Sequence, residues 1–310
     1  MDAQSMQKYR AAEQALWAEV GWAPEESWVD FDGVRIRTLS SGSGDPVVFV
    51  HGGPNAGSTW TSVAGPLSDS FRVHVIDRPG CGLSDPLPPT NWSTPEELWD
   101  LMGRMVSAVV DQNTDGHAHL VASSFGGACA LALASSRPEQ VDRLVLEGAP
   151  AVDGMHAPMN MRMLGFGPLG RFIARQKSTR GTTRRTFRQI GHKRLVDSGW
   201  PTGPGLEWGL SMMNDTDTMR NEVALIQSGS SWRGFRPGWL LDPGRLADVK
   251  ARTLWLVGDS EPFAPADLLQ SWSDTIPDSR IITREGSGHL PWMDDPEYHV
   301  RTIREFLQAD

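Results

Sequence analysis

Apolar and polar positions along this chain follow two alternating rhythms. Residues 46–50 (Pro-Val-Val-Phe-Val), 71–76, 120–122, 144–146 and 253–257 are short, almost continuously apolar runs, as strands buried on both faces are. Between them, residues 94–110 and 128–136 carry apolar positions at helical spacing, the first stretch opening on Pro95, Glu96 and Glu97, a helix-start signature. Residues 5–20 also read as a helix. Residues 27–39 alternate around Asp32-Gly33, which predicts a β-hairpin. Buried strands alternating with helices predict an α/β fold with a parallel sheet covered by helices. Ligands of such sheets bind beyond the carboxyl ends of the strands, so the chemistry is expected on the turns that follow them.

Residues 151–245 interrupt this rhythm. They are rich in Gly, Met, Arg and Trp, show no obvious strand, and lie between Gly148-Ala149-Pro150 and Asp242-Pro243-Gly244. An inserted, mainly helical cap over the strand ends is expected there, with residues 1–150 and 246–310 forming the core domain. The 310 residues fit one elaborated domain.

Charge separates the same two parts. The net charge is −9, yet residues 151–245 hold 14 Lys/Arg against 7 Asp/Glu. An acidic chain argues against nucleic acid as its general partner. Within the insertion, residues 154–196 contain ten Lys/Arg and no Asp or Glu. Such a run is ordinarily a solvated face; the alternative is that it attracts an anionic acyl substrate or an acidic carrier. The N-terminus lacks a basic segment followed by an apolar one, and no run of about 18 apolar residues occurs. Cys81 and Cys129 are too few for a disulfide framework and match no metal-ligand spacing. A soluble cytoplasmic protein is expected, with no membrane segment; its oligomeric state is not legible. Thirteen tryptophans serve either core packing or an aromatic-lined pocket.

Two segments carry candidate chemistry. In Leu120-Val121-Ala122-Ser123-Ser124-Phe125-Gly126-Gly127, a serine sits between a buried strand and a helix of small residues. This resembles the nucleophile elbow Gly-x-Ser-x-Gly, in which a sharp turn exposes the serine oxygen and its neighbours two positions away must be small. Ala122 and Gly126 fill those places around Ser124; Ser123 lacks the glycine two positions on. Among eight histidines, His289 stands out. It lies in Gly286-Ser287-Gly288-His289 after the strand-like residues 280–283 and before an amphipathic C-terminal helix, where a base reaching across the strand ends is needed.

Together with His51-Gly52-Gly53-Pro54 after the first buried strand and Asp77-Arg78-Pro79-Gly80-Cys81-Gly82-Leu83-Ser84 after the next, these blocks resemble the α/β-hydrolase fold family in order and spacing. The resemblance covers roughly residues 27–150 and 246–308. It implies an α/β-hydrolase fold: a mostly parallel central sheet flanked by helices, with an inserted helical cap. In that family the acid follows a strand as Gly-x-x-Asp-x-x-x-Pro. Counting from Gly258 puts Glu261 in the acid slot and Pro265 at the proline; Asp259 is the alternative acid, and Glu147, after an earlier strand, a further one. By the same resemblance the amides of Gly53 and Phe125 form the oxyanion hole, His51 is structural, and the Asp77 block is scaffold. The implied activity is a serine hydrolase with Ser124 as nucleophile, His289 as base and Glu261 as acid, cleaving an ester, thioester, lactone or related acyl bond of a small molecule. Its alternatives are a carbon–carbon bond hydrolase, or a non-hydrolytic receptor or biosynthetic protein on the same fold. No metal or organic cofactor is implied.

Overall fold

The computed structural model describes residues 1–88 and 91–309, apart from the side chain of Asn160. Eight strands form one sheet: β1 (Glu25–Phe31), β2 (Val34–Ser41), β3 (Pro46–Val50), β4 (Arg72–Ile76), β5 (Ala118–Ser123), β6 (Val141–Glu147), β7 (Arg252–Gly258) and β8 (Ser279–Arg284), in the order β1-β2-β4-β3-β5-β6-β7-β8. From β4 to β8 all neighbours are parallel, whereas β2 runs antiparallel to both β1 and β4. The β1–β2 hairpin turns on Asp32 (φ 51) and Gly33 (φ 77), the positive dihedrals that an Asp-Gly turn supplies.

The continuous apolar runs are explained by the two cores. Val48, Val50, Leu120, Ala122, Leu144, Leu146, Trp255 and Val257 pack on one face of the sheet, while Val47, Phe49, Val121, Val145, Leu254 and Leu256 pack on the other. Successive side chains of a strand point to opposite faces, so both parities must be apolar. Each valine, leucine or phenylalanine among them contributes about 1.5–3 kcal/mol over an exposed one. The first face is covered by α3 (Pro95–Asn113), α4 (Ser124–Ser136) and α11 (Ala266–Thr275), and the second by α2 (Thr61–Leu67) and α12 (Pro296–Gln308). A stacked pair, Trp60 and Trp292, fills the second core with ring centroids 4.1 Å apart. At the N-terminus, α1 (Ala3–Ala18) is anchored by Glu13, which receives Arg37 Nη2 at 2.7 Å and Ser58 Oγ at 2.7 Å in a buried cluster.

Between β6 and β7 the chain forms α5 (Met159–Gly165), α6 (Gly167–Ile173), α7 (Arg180–Gln189), α8 (Lys193–Asp197), α9 (Gly203–Asp215) and α10 (Thr218–Gly229). The segment leaves and re-enters at one point: Leu241 N donates to Ala151 O at 3.1 Å and Asp153 N to Leu241 O at 2.8 Å. One element here departs from the strandless expectation. Ser230–Ser231 pairs with Gly234–Phe235 as a miniature hairpin, and two-residue strands carry no alternation to read. Part of the basic run serves the segment itself: Arg184 Nη2 donates to Val196 O (2.6 Å), Arg180 Nη2 to Gly199 O (3.2 Å), and Arg188 and Lys193 pair with Asp197. These contacts tie α7 to the end of α8 and the turn that follows it. No helix among the described residues is long and apolar enough to cross a membrane.

Candidate active site

Ser124 opens α4 directly after β5, with φ 51. Among the described residues only Asp32 shares a positive φ without being glycine. A non-glycine residue held there is strained and needs its surroundings to enforce it. The surroundings are backbone. A Cβ added to Gly126 would lie 2.4 Å from the carbonyl oxygens of Val50 and His51, and one on Gly52 would lie 2.7 Å from Ser124 Cβ. The turn is thus clamped between β3's exit and α4, which is why small residues recur in both motifs. Ser124 lines a cavity of about 60 Å³. Ser123, by contrast, is extended (φ −130) and buried with its hydroxyl unpartnered among the described residues.

His289 and Glu261 meet on the loops after β8 and β7. His289 Nδ1 lies 2.7 Å from Glu261 Oε2, both side chains being nearly inaccessible. The carboxylate also accepts the amides of Ala149 on Oε2 (3.0 Å) and Phe263 on Oε1 (3.0 Å). Burial alone would raise the Glu261 carboxyl, but the His289 ring and these two amides outweigh it and hold the group below its ordinary value. With Nδ1 as the donor to a carboxylate, Nε2 is the imidazole's basic nitrogen. The loop after β6 ties this pair to the serine turn: Ala149 N reaches Glu261, Ala151 N donates to Ser124 O at 3.1 Å, and a Cβ on Gly148 would meet His289 Nδ1 at 3.4 Å. Phe263 lines the cavity beside Ser124 and packs on His289 with centroids 4.3 Å apart.

The other acid candidates lie elsewhere. Asp259 is exposed and its Oδ1 accepts Gly286 N at 2.9 Å, closing the turn after β8. Glu147 faces His299 Nδ1 at 2.7 Å, both fully buried, and burial pushes its carboxyl up against the pull of His299. His51 is buried; its Nε2 accepts Arg78 N (2.9 Å), and burial, with Arg78 adding to it, pushes the ring well below its ordinary value. Gly53 and Phe125 both stand in the cavity wall. Phe125 belongs to the first turn of α4, where amides have no intrahelical acceptor and the helix dipole favours negative charge.

A family model described as the alpha/beta hydrolase fold matches residues 45–296. The chain belongs to the α/β-hydrolase fold family. Among similar α/β-hydrolases are a 2-hydroxy-6-oxo-6-phenylhexa-2,4-dienoate hydrolase of Comamonas testosteroni, 27% identical over 90% of this chain and 93% of that one, and a pimeloyl-[acyl-carrier protein] methyl ester esterase of Aeromonas hydrophila, 26% identical over 86% and 96%. A carboxylesterase structure from Bacillus subtilis superposes with a TM-score of 0.73 at 17% identity, covering 99% of this chain and all of that one; this likeness speaks to the fold alone.

One residue lining this α/β-hydrolase's cavity, Glu222, and its partner Arg78 escaped sequence reasoning. Arg78, within the block read as scaffold, reaches back to the loop after β3: its Nε donates to His51 O (2.8 Å) and its Nη2 to Gly52 O (3.1 Å) and to Glu222 Oε1 (2.8 Å). Burial would lower the guanidinium's pKa, and Glu222 more than offsets this, leaving it above its ordinary value. Glu222 comes from α10 and lines the cavity with Gly53 and Ser124. Its sequence signal was weak: an acid in a basic insertion, with no motif around it. Aromatic lining is real but partial, since Trp239, Phe125, Phe235 and Phe263 face the cavity while Trp60, Trp255 and Trp292 are core.

Proposed function

We propose that this α/β-hydrolase is a serine hydrolase that cleaves an acyl ester or related acyl bond through a covalent intermediate on Ser124. The observation that carries the reading is the convergence of the strained Ser124 turn and the Glu261–His289 pair on the single loop 148–151. Ser124 Oγ attacks the carbonyl carbon as its proton passes to His289 Nε2. The oxygen that becomes negative is received by the amides of Gly53 and Phe125. Collapse breaks the bond to the leaving group, which takes the proton from His289. Water then loses a proton to His289, attacks the acyl carbon and releases the acid, returning the proton to Ser124. Glu261 orients the imidazole and offsets its positive charge. The segment 151–245 acts as a cap, closing the cavity from above with α10.

The substrate is a small acyl compound. Relatives named as a hydrolase of a 6-oxo-dienoate and as an esterase of a carrier-linked methyl ester favour two narrower readings, the first offering a ketone rather than an ester as electrophile and so a carbon–carbon bond to cleave. Labelling with a fluorophosphonate tests the core of the proposal. Ser124→Ala is expected to abolish labelling and to lower hydrolysis of a short p-nitrophenyl ester by several orders of magnitude, while Ser123→Ala keeps both. Labelling that survives in Ser124→Ala and disappears in Ser123→Ala would overturn the assignment.

A further inference from the structure

Glu222 is the single charged residue among the described lining of the cavity; its neighbours there are apolar apart from Ser124 and glycines. It is 5% exposed, and its two oxygens differ. Oε1 is fully engaged, accepting Arg78 Nη2 at 2.8 Å and Cys81 Sγ at 3.2 Å. Oε2 has no hydrogen-bond partner among the described residues, and a Cβ built on Gly53 would come within 1.8 Å of it. That oxygen therefore rests against the glycine proposed to hold the substrate's carbonyl oxygen.

The carboxylate is fixed from several sides. Arg78 binds it while gripping the carbonyls of His51 and Gly52; Asn221 Nδ2, one residue earlier on α10, donates to Gly80 O at 2.8 Å, and Gly82 N donates to Thr218 Oγ1 at 2.9 Å. Oε2 stands without a protein donor in a cavity lined mainly by apolar groups, where an unpaired acceptor is poorly served. Placed where it is, it is also badly suited to assist by charge, since negative charge develops next to it during acyl transfer. Both features are reconciled if the substrate itself brings the missing donor.

We propose that Glu222 is a specificity-determining residue whose Oε2 accepts a hydrogen bond from a hydroxyl or amino group on the carbon next to the scissile carbonyl. This deepens the hydrolase reading and rests on it for the position of the carbonyl. An ester's leaving oxygen has no hydrogen, so with the carbonyl oxygen at Gly53 the donor belongs to the acyl α-carbon. The cavity's size, about 60 Å³, suits an acyl group of a few heavy atoms. Because Arg78 balances the charge of Glu222, selection falls on hydrogen-bond donors, whereas an acyl group ending in a carboxylate meets an acceptor that it cannot satisfy.

The test uses ethyl lactate, alanine ethyl ester, ethyl propionate and monoethyl succinate at pH 6.5, below the ordinary α-amino pKa of about 7.7. Binding is measured by calorimetry on Ser124→Ala, so that the outcome does not depend on turnover. The lactate and alanine esters are expected to bind roughly tenfold or more tightly than propionate, as hydrogen bonds to charged acceptors do, and succinate most weakly. Adding Glu222→Gln should pull the donor-to-propionate ratio toward unity. A preference for lactate but not alanine, or the reverse, identifies which donor the site takes and upholds the proposal. Equal binding of all three uncharged-chain and donor esters to Ser124→Ala overturns it even if the Gln variant fails to fold, and so does a preference that Glu222→Gln leaves intact. If the wild type binds with this preference but turns over none of the esters, the hydrolase reading fails while this one stands.

Discussion

Glu261→Gln isolates the contribution of one buried charge to the proposed chemistry, because it keeps the shape of a side chain that is 2% exposed. Three donors converge on the carboxylate: His289 and Ala149 on Oε2, and Phe263 on Oε1. An amide has one acceptor oxygen. Turned with nitrogen at the Oε2 position, it would oppose two donors and force the imidazole into the other tautomer. Turned with oxygen there, it opposes only the Phe263 amide, so this orientation is expected and the working tautomer survives. What is lost is the charge facing the imidazolium. At about 4 Å and an effective dielectric constant of about 20, that interaction is about 4 kcal/mol, or roughly 10³-fold in rate. The loss should appear in kcat on a short p-nitrophenyl ester with KM little changed. The unsatisfied Phe263 amide adds about 1–3 kcal/mol of destabilisation, a melting temperature lower by a few degrees. Asp259→Asn, whose side chain accepts only from Gly286 N and Ser260 Oγ on the exposed turn, should cost less than tenfold. A fall of less than tenfold for Glu261→Gln, or a larger one for Asp259→Asn, would refute the assignment of the acid.

Two further outcomes can be measured. Burial, with Arg72 adding to it, pushes His74 down to about 4 from 6.5; between those values the unfolded chain takes up a proton that the folded one refuses, so stability is full above about pH 6.5 and declines as pH falls toward 4. That difference corresponds to roughly 3 kcal/mol at most, and urea unfolding at pH 7 and pH 5 should show a shallower decline in His74→Asn; an unchanged decline would clear His74 of the effect. Arg171, Arg175 and Arg185 are exposed, and if they steer anionic esters, kcat/KM for monoethyl succinate should fall with rising salt while that for ethyl propionate stays flat; the triple Gln variant should remove the slope, and equal slopes for both esters in the wild type would leave these arginines as surface charge.

Much of the fold was legible because its interior strands are buried twice. Residues 46–50 could be bounded to the residue, since both parities of that strand face a core. The ends of β5 and β6 were read short, as 120–122 and 144–146 against Ala118–Ser123 and Val141–Glu147, where histidine, serine, arginine and glutamate enter the strands. Ser124 and His289 could be singled out because the chemistry proposed for them needs a backbone solution, a strained turn or a glycine-flanked loop, and backbone solutions leave local patterns. The insertion offered no such purchase: several of its arginines serve contacts within the segment, such as those of Arg180 and Arg184 near the end of α8, and such contacts leave no local pattern.

Glu222 shows where local reading ends. Nothing within ten residues of it marks a site, and its partner Arg78 lies 144 positions away in a block whose other members do hold the scaffold: Asp77 Oδ1 accepts Gly57 N at 2.7 Å and Asp77 Oδ2 accepts Leu83 N at 3.0 Å. The same loop therefore supports the core through Asp77 and shapes the cavity through the next residue. Specificity in such a protein depends on which residue of an inserted helix meets a loop that the sheet has already fixed. The sheet, elbow and acid–base pair can persist while that meeting point changes, which is consistent with relatives of about a quarter identity being named for different substrates. On the proposed reading, the substrate is encoded less by the motifs that identify the family than by the contacts of the Arg78 loop with α10, Arg78–Glu222 foremost, and it is there that substitutions should change what is cleaved without changing how.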